Sequence, residues 1–378
     1  MNSSTNPSPE EKRYHLALAL APSIGPTLFK AIVAYAGSPL AFFTQAPKQL
    51  KKIPRIGKKL ELLRKQQGDL LRKADALLHE QQQEGYQVLT SVDAQFPQRL
   101  LHLSDGPVVL FYQGTGELNM ERSIGIVGTR SATAYGKKMT IKILEELCPY
   151  RPTILSGLAF GIDIEAHKAA LQLGLPTLAV LGSPLNRIYP ATHAPLAQQL
   201  QQAQGGLLSE YAPGTKLLPG NFPARNRIIA GLSDALIVVE AAKKGGALIT
   251  ADLAFGYNKE VFAVPGNLQS PFSEGCNLLI KQMKASIYTR ASDVADALNW
   301  TKPGEQKIKK AVLDFSSKED VERKILHFLQ EQGEAGIDHI ALATQLEMST
   351  VSSKLLSLEF EGLVKPLPGK KFKLMILR

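Results

Sequence analysis

Hydrophobic and polar positions change texture three times along the chain. Up to about residue 85, short apolar segments recur at helical spacing and are broken by Gly and Pro. From about Ser123 to Asn299 the pattern alternates. Apolar runs (IGIVG, TILSG, TLAVLG, LLSEY, ALIVVE, EVFAVPG) are separated by helix-length segments. That alternation predicts βαβ units and a doubly wound parallel sheet. The polar stretch TKPGEQKIKK reads as a linker. Beyond it VERKILHFLQEQG, DHIALATQLEM and STVSSKLLSLEFEGL read as three amphipathic helices followed by a hairpin. This is a winged helix-turn-helix pattern, with Ser349 as an N-cap and Pro368-Gly369 turning the wing. The expected organisation is a helical domain over 1–85, an α/β domain over 86–300, a linker over 301–315 and a winged helix over 316–378. No repeat of solenoid period interrupts it.

Composition narrows the setting. An apolar fraction of 44% supports a sizeable core and excludes wholesale disorder. The two cysteines, Cys148 and Cys276, lie far apart, which excludes a disulfide scaffold or cysteine zinc site and fits a reducing compartment. The N-terminus MNSSTNPSPEEKR has no apolar stretch behind it, so no secretory signal is expected. The best uncharged run, Ala169 to Asn186, is broken by Pro176, Pro184 and two glycines, Gly174 and Gly182, so no membrane span is expected. The expectation is a soluble cytoplasmic protein.

Where the net charge of +10 sits adds more. Residues 1–100 hold 14 basic and 8 acidic side chains, and ten Lys/Arg between Lys48 and Lys73 face only Glu61 and Asp69. Such a stripe suits an anionic polymer, and equally a solvated helical surface. Within it, APSIGPTLFKAIVAYAG and IPRIGKKLELL each set a glycine, Gly25 or Gly57, ahead of a helix. These are helix-hairpin-helix (SAM-like) phrases, whose exposed backbone N–H groups suit phosphate oxygens. Arg55, Lys58 and Lys59 surround the second. In the tail, Lys354 stands against Glu359 and Glu361, which speaks against sequence-specific duplex reading. Lys365, Lys370, Lys371 and Lys373 on the wing remain available to phosphates.

The central domain carries the chemistry. Glycine-rich loops follow its first two strands, Gly125–Gly136 and Ser156–Asp163, at the carboxyl ends where such sheets bind ligands. Neither loop is GxGxxG, no acid closes the second strand, and GxxxxGK[ST] is absent, so no nicotinamide or P-loop nucleotide cofactor is expected. Arg130 follows the first loop. Downstream, Gly220 to Arg227 place two arginines and two asparagines at a helix start, and Lys243 to Thr250 form another glycine loop opening a helix. Converging loops with Arg130, Arg225, Arg227 and Lys244 suit a backbone of several phosphates, and Phe222 offers a face for a base. The competing reading pairs Arg225 and Arg227 with Glu210 or Glu240 in structural ion pairs. Asp163 and His167, at i and i+4, lack a third metal ligand and read as capping or packing residues. GxSxG is absent, and Glu210 and Glu240 are what remains for an acid–base pair.

The ordered motifs GIVGTR, SGLAFGIDIEAH, AVLGSPLNRIYP, SEYAPGT, NFPARNRIIAGLS, VVEAAKKGGALIT, VFAVPGN and GCNLLI resemble the DNA-processing protein A family, DprA or Smf. The resemblance runs from about Ser123 to Ile287. It implies an extended Rossmann-like domain that binds single-stranded DNA without catalysis, protects incoming transforming DNA and loads RecA recombinase. A variable helical N-terminal domain and a winged-helix tail accompany it. Carried over by motif, the DNA contacts are Gly128, Thr129 and Arg130; Gly157, Leu158, Ala159 and Gly161; Phe222, Arg225, Asn226 and Arg227; and Lys244, Gly245, Gly246 and Thr250. The family also implies a homodimer, in which Cys276 to Asn299, with Leu279, Ile280, Met283 and Ile287, is expected to take part. One position departs: Phe160 stands where the family often has arginine, so a phosphate contact is lost or a stacking face gained. The rival is a Rossmann-like nucleotide hydrolase of the lysine-decarboxylase-like group, but KKGGALIT lacks the second glycine-threonine step of GGxGT.

Overall fold

The computed structural model describes residues 8–22, 24–57, 59–302, 315, 318–367 and 371–375. The chain divides into two units, Met1–Lys302 and Pro303–Arg378. Among the described residues the first unit opens with helices α1 (Pro9–Ala19), α2 (Pro26–Ala36), α3 (Pro39–Thr44), α4 (Pro47–Leu50), α5 (Lys59–Lys65) and α6 (Gln67–Glu84). Local chemistry sets several of their ends. Ser8 Oγ accepts from Glu11 N–H while the Glu11 carboxylate reaches back to Ser8 N–H, a reciprocal cap for α1. Gly25-Pro26 and Ser38-Pro39 put proline at the first helical position, where no N–H is missed. Gly85 closes α6 at φ +67, a left-handed turn that glycine adopts without strain.

The sheet follows. Its elements are β1 (Gln87–Thr90), α7 (Gln98–Leu101), β2 (Val109–Gly114), β3 (Ser123–Val127), α8 (Ala134–Leu147), β4 (Thr153–Ser156), α9 (Ile162–Gln172), β5 (Thr177–Leu181), α10 (Ala194–Gln202), β6 (Gly206–Ser209), α11 (Asn221–Leu232), β7 (Ala235–Val238), α12 (Gly246–Gly256), β8 (Glu260–Ala263), α13 (Glu274–Lys281), β9 (Ser286–Ile287) and α14 (Ala291–Ala297). The strand order is β1-β2-β6-β5-β4-β3-β7-β8-β9. All neighbours from β6 to β9 pair in parallel, and β1 and β2 extend the sheet as an antiparallel edge. Strands β3 to β7 are buried at every residue, which is why their sequences are unbroken apolar runs. The chain winds outward from β3 through β4 and β5 to β6, then returns to β7 on the other side of β3. The reversal opens a crevice at the carboxyl ends of β3 and β7.

The N-terminal helices share a hydrophobic core with the sheet: Leu16, Phe29, Phe42 and Leu70 belong to the same cluster as Val108, Phe111, Leu181 and Leu207. His15 crosses that seam, bonding the Val108 carbonyl at 3.0 Å. Near the sheet's other edge, Leu279 is buried and Ile280 half-buried, whereas Met283 and Ile287 are exposed. The expectation that all four take part in a dimer contact is therefore corrected for Leu279, which packs under β7 and β8 with Cys276, Val238 and Val261.

The second unit contains α15 (Asp320–Gln332), β10 (Glu334–Gly336), α16 (Ile337–Thr344), α17 (Met348–Phe360), β11 (Val364–Leu367) and β12 (Lys371–Leu374), with sheet order β10-β12-β11. Helix α17 starts one residue ahead of Ser349, and its cap position is Glu347 without a side-chain bond, which corrects the Ser349 N-cap. The Pro368-Gly369 turn, Lys370, Lys58 and most of the 301–315 linker lie outside the described residues. Among the described residues, no helix is long and apolar enough to cross a membrane.

Burial holds two histidines neutral: it pushes the His15 imidazole down to about 4 and that of His167 down to about 3, from 6.5. An unfolded chain takes up protons near 6.5 and the folded one does not, so these two groups withdraw stability as pH falls from about 6.5 toward 3. Buried Asp163 has the opposite sign, its carboxyl being raised by desolvation. Thermal melts should therefore lose several degrees between pH 6.5 and pH 4, and the His15→Asn/His167→Asn double variant should flatten that slope.

Candidate nucleic-acid interface

Five loops meet at the carboxyl edge, and one buried side chain joins three of the elements behind them. Arg225, in the second turn of α11, is 4% exposed. Its Nη1 donates to the Gly157 carbonyl at 2.7 Å, after β4, and to the Val180 carbonyl in β5. Its Nε donates to Asn226 Oδ1 at 3.2 Å, and Asn226 Nδ2 donates to the Gly246 carbonyl at 3.2 Å, in the loop after β7. Gly157 is required here, because a Cβ would fall on the guanidinium. Asp163 supplies the facing negative charge and accepts the Gly157 N–H at 3.2 Å. Burial still dominates, pushing Arg225 down to about 10 and the Asp163 carboxyl up. His167 Nδ1 pairs with Thr177 Oγ1 at 2.7 Å, while Asp163 holds the Gly157 N–H and faces Arg225. The cap position of α9 is Gly161 without a side-chain bond, so both residues act in packing and the capping reading of Asp163 is corrected.

A second buried group, Glu240, shapes the loop after β3. It is 3% exposed; its carboxylate accepts Thr133 N–H at 3.0 Å and Thr133 Oγ1 at 2.7 Å, and its carbonyl accepts Thr129 N–H at 2.7 Å. Thr133 in turn caps α8 by accepting Gly136 N–H. The loop held this way turns Arg130 outward, with its guanidinium 5.9 Å from the centre of the Phe222 ring. Around them lies a cleft of about 800 Å³, open to solvent, lined by Gly128–Arg130, Phe222, Arg225 and Lys243–Thr250. Lys243, Lys244, Gly245 and Gly246 are exposed on its rim at the start of α12. Backbone N–H groups at that helix start and the three outward cations give the cleft its positive potential.

The predicted contact set thus divides. Gly128, Thr129, Arg130, Ala159, Phe222, Lys244, Gly245 and Gly246 reach the cleft surface. Arg225, Asn226, Thr250 and Leu158 are buried, and Gly157 is covered by Arg225, so the reading of Arg225 as an outward phosphate fork is corrected. Its charge points inward because unbonded strand and loop carbonyls there need a donor. Gly161, at φ +78, turns the β4 loop against Arg130. Arg227 is engaged too, pairing with Glu210 at 2.5 and 2.6 Å. That is the competing reading, which holds for Arg227 and fails for Arg225. Sequence reasoning missed the loop-capping role of Glu240; its only signal is an acid ending the apolar run ALIVVE.

The family model for DNA recombination-mediator protein A matches residues 87–299, more than half of the chain, and that for the DprA winged helix domain matches residues 314–370. This chain belongs to the DprA family. Protein Smf of Synechocystis is 36% identical over an alignment covering 96% of this chain and 98% of that protein. DNA processing protein DprA of Streptococcus pneumoniae is 41% identical over 54% of this chain and 71% of its own. The X-ray structure of the S. pneumoniae protein superposes with a TM-score of 0.62 at 30% identity, covering 76% of this chain and 96% of that one. A Helicobacter pylori DprA structure, described for its single-stranded DNA binding mode, superposes with a TM-score of 0.52 at 31% identity, covering 57% and 97%. Family membership gives this chain a DNA-processing role in recombination.

The DprA-type winged helix offers a different surface. Lys354, the one cation of α17, is tied to Glu319 at 2.6 Å and Glu322 at 3.1 Å. The exposed positions of α17 are Met348, Ser349, Ser352, Ser353, Leu356, Ser357 and Phe360, an uncharged face. Major-groove readers present arginine, lysine or amides there. The sequence-based argument against duplex reading gains a physical basis.

The inward and outward arginines of this DprA domain should separate in stability. Arg225→Ala strands the Asp163 charge and two carbonyls in the interior and should cost about 3–5 kcal/mol. Arg130→Ala, on the surface, should stay within about 0.5 kcal/mol. Denaturant titration of both variants checks the pair.

Proposed function

We propose that this chain binds single-stranded DNA in the cleft at the carboxyl edge of its sheet, shields incoming strands in the cytoplasm and delivers them to a RecA recombinase. One observation carries the reading. Arg130, Lys243 and Lys244 stand outward around an open cleft and, among the described residues, form no ion pair there, while Phe222 presents a ring beside them. Several unspent cations along one groove suit a polyanion, and an aromatic face among them suits an unpaired base. The strand-binding description of the H. pylori relative supports the same reading. The hydrolase alternative loses its candidates, since Glu210 is spent on Arg227 and Glu240 on Thr133. No catalytic or cofactor role is included. A homodimer belongs to the proposal, with the exposed Met283 and Ile287 at the β9 edge as part of its contact.

Titrations with single- and double-stranded oligonucleotides across a salt series test the central claim. Single strands should bind tighter, with log affinity falling by about 0.7 per log salt for each phosphate neutralised. Arg130→Ala should weaken binding about 10- to 150-fold and shallow that slope by about one phosphate. Equal affinity for duplex would end the reading. Light scattering should give twice the chain mass, and Met283→Asp/Ile287→Asp should return it to the monomer value.

A further inference from the structure

We propose that Phe160 and Tyr189 form a second stacking platform for unpaired bases, beside the cleft's own Phe222; this rests on the strand-binding reading above. Both rings are 49% exposed. Neither is loose. Phe160 meets the His193 ring edge-on, with centroids 4.8 Å apart and planes at 74°. His193 is itself buried, and its Nδ1 bonds the Leu158 carbonyl at 2.8 Å, so the ring that braces Phe160 is anchored to Phe160's own loop. Tyr189, four residues before His193, lies 5.1 Å from Phe222 between ring centres.

Both rings lead back to Arg130. Gly161, next to Phe160, packs so closely on the first loop that a Cβ there would stand 2.6 Å from the Arg130 carbonyl carbon. Tyr189 reaches it through Phe222, which lies under the Arg130 guanidinium. An outward cation therefore shares one patch with two exposed, braced aromatic faces. A molecule covering that patch must be anionic at Arg130 and planar and apolar at the rings. Single-stranded nucleic acid repeats both features with every nucleotide, whereas a duplex hides its base faces within its own stack. An acidic peptide supplies the charge without a run of planar faces. A phenylalanine at position 160 then supplies a base contact on the loop that packs against Arg130.

The experiment is a binding series with oligothymidylate and an abasic deoxyribose-phosphate strand of the same length, each across a salt range. It uses the full chain and the variants Phe160→Ala, Tyr189→Ala and Phe160→Arg, with thermal melts showing each folded. The alanine variants should each lose about 5- to 150-fold on oligothymidylate at an unchanged salt slope, and the loss should vanish on the abasic strand. Phe160→Arg should steepen the slope by about 0.7 and bind the abasic strand more tightly than the parent. Alanine variants that bind oligothymidylate like the parent overturn the proposal, as does an equal loss on both strands. Unchanged strand affinity with an altered oligomeric state would assign the rings to a protein contact and overturn it too. A parent that binds neither strand fails at the earlier reading, whereas a parent that binds and is indifferent to both rings fails here alone.

Discussion

A single buried guanidinium organises the carboxyl edge of this protein's sheet. Parallel strands end by pointing their last carbonyls into a crevice, and the loops that leave them need donors that the sheet does not supply. Arg225 reaches the carbonyls of Gly157 and Val180 and, through Asn226, the carbonyl of Gly246. Burying that charge is expensive, and the cost is offset by the facing Asp163 and by bonds that neutral side chains would make less well. The loops after β4 and β7 are consequently set by the first turns of α11, which follows β6. Displacing any of the three disturbs the others.

The cleft keeps its cations in two roles. Inward ones, Arg225 and Arg227, are spent on carbonyls and on Glu210 and hold shape. Outward ones, Arg130, Lys243 and Lys244, remain for a ligand. Glu240 makes that separation possible on the β3 side: a carboxylate caps Thr133 from within and so turns the preceding arginine to solvent. A carboxylate buried without partners would be unfavourable. Here its lone pairs are consumed by N–H and O–H donors, and its charge lies beneath the loop rather than in the cleft.

Some cations of the other basic surfaces are engaged within the protein. In the N-terminal stripe Arg64 donates to the carbonyls of Phe42 and Gln45, and Arg72 pairs with Asp69. In the tail, Lys354 and Lys371 are paired with glutamates across the winged helix. Net charge therefore overstates in part what these regions offer a polyanion, whereas the glycine-loop cleft sets its outward cations beside an aromatic ring.

Much was legible from the chain alone. Unbroken apolar runs at regular spacing dictated the parallel sheet, because strands covered on both faces tolerate no polar alternation. Glycine loops at the strand ends, the NFPARNR segment and the ordered family motifs marked the segments that line the cleft at the sheet's carboxyl edge. Three amphipathic segments and a terminal hairpin marked the winged helix. Beyond reach was the direction of each charge. Arg225 and Arg130 are the same residue type in equally basic motifs, yet one is buried under Gly157 and the other overhangs Phe222. Edge strands β1 and β2, Leu279 beneath β8, and the bracing of Phe160 by His193 were equally hidden. Each depends on which carbonyls, rings and apolar atoms from distant segments arrive together. Local pattern reports whether a side chain is charged or greasy; only assembled tertiary structure decides whether that charge satisfies the protein's own backbone or is left for a ligand.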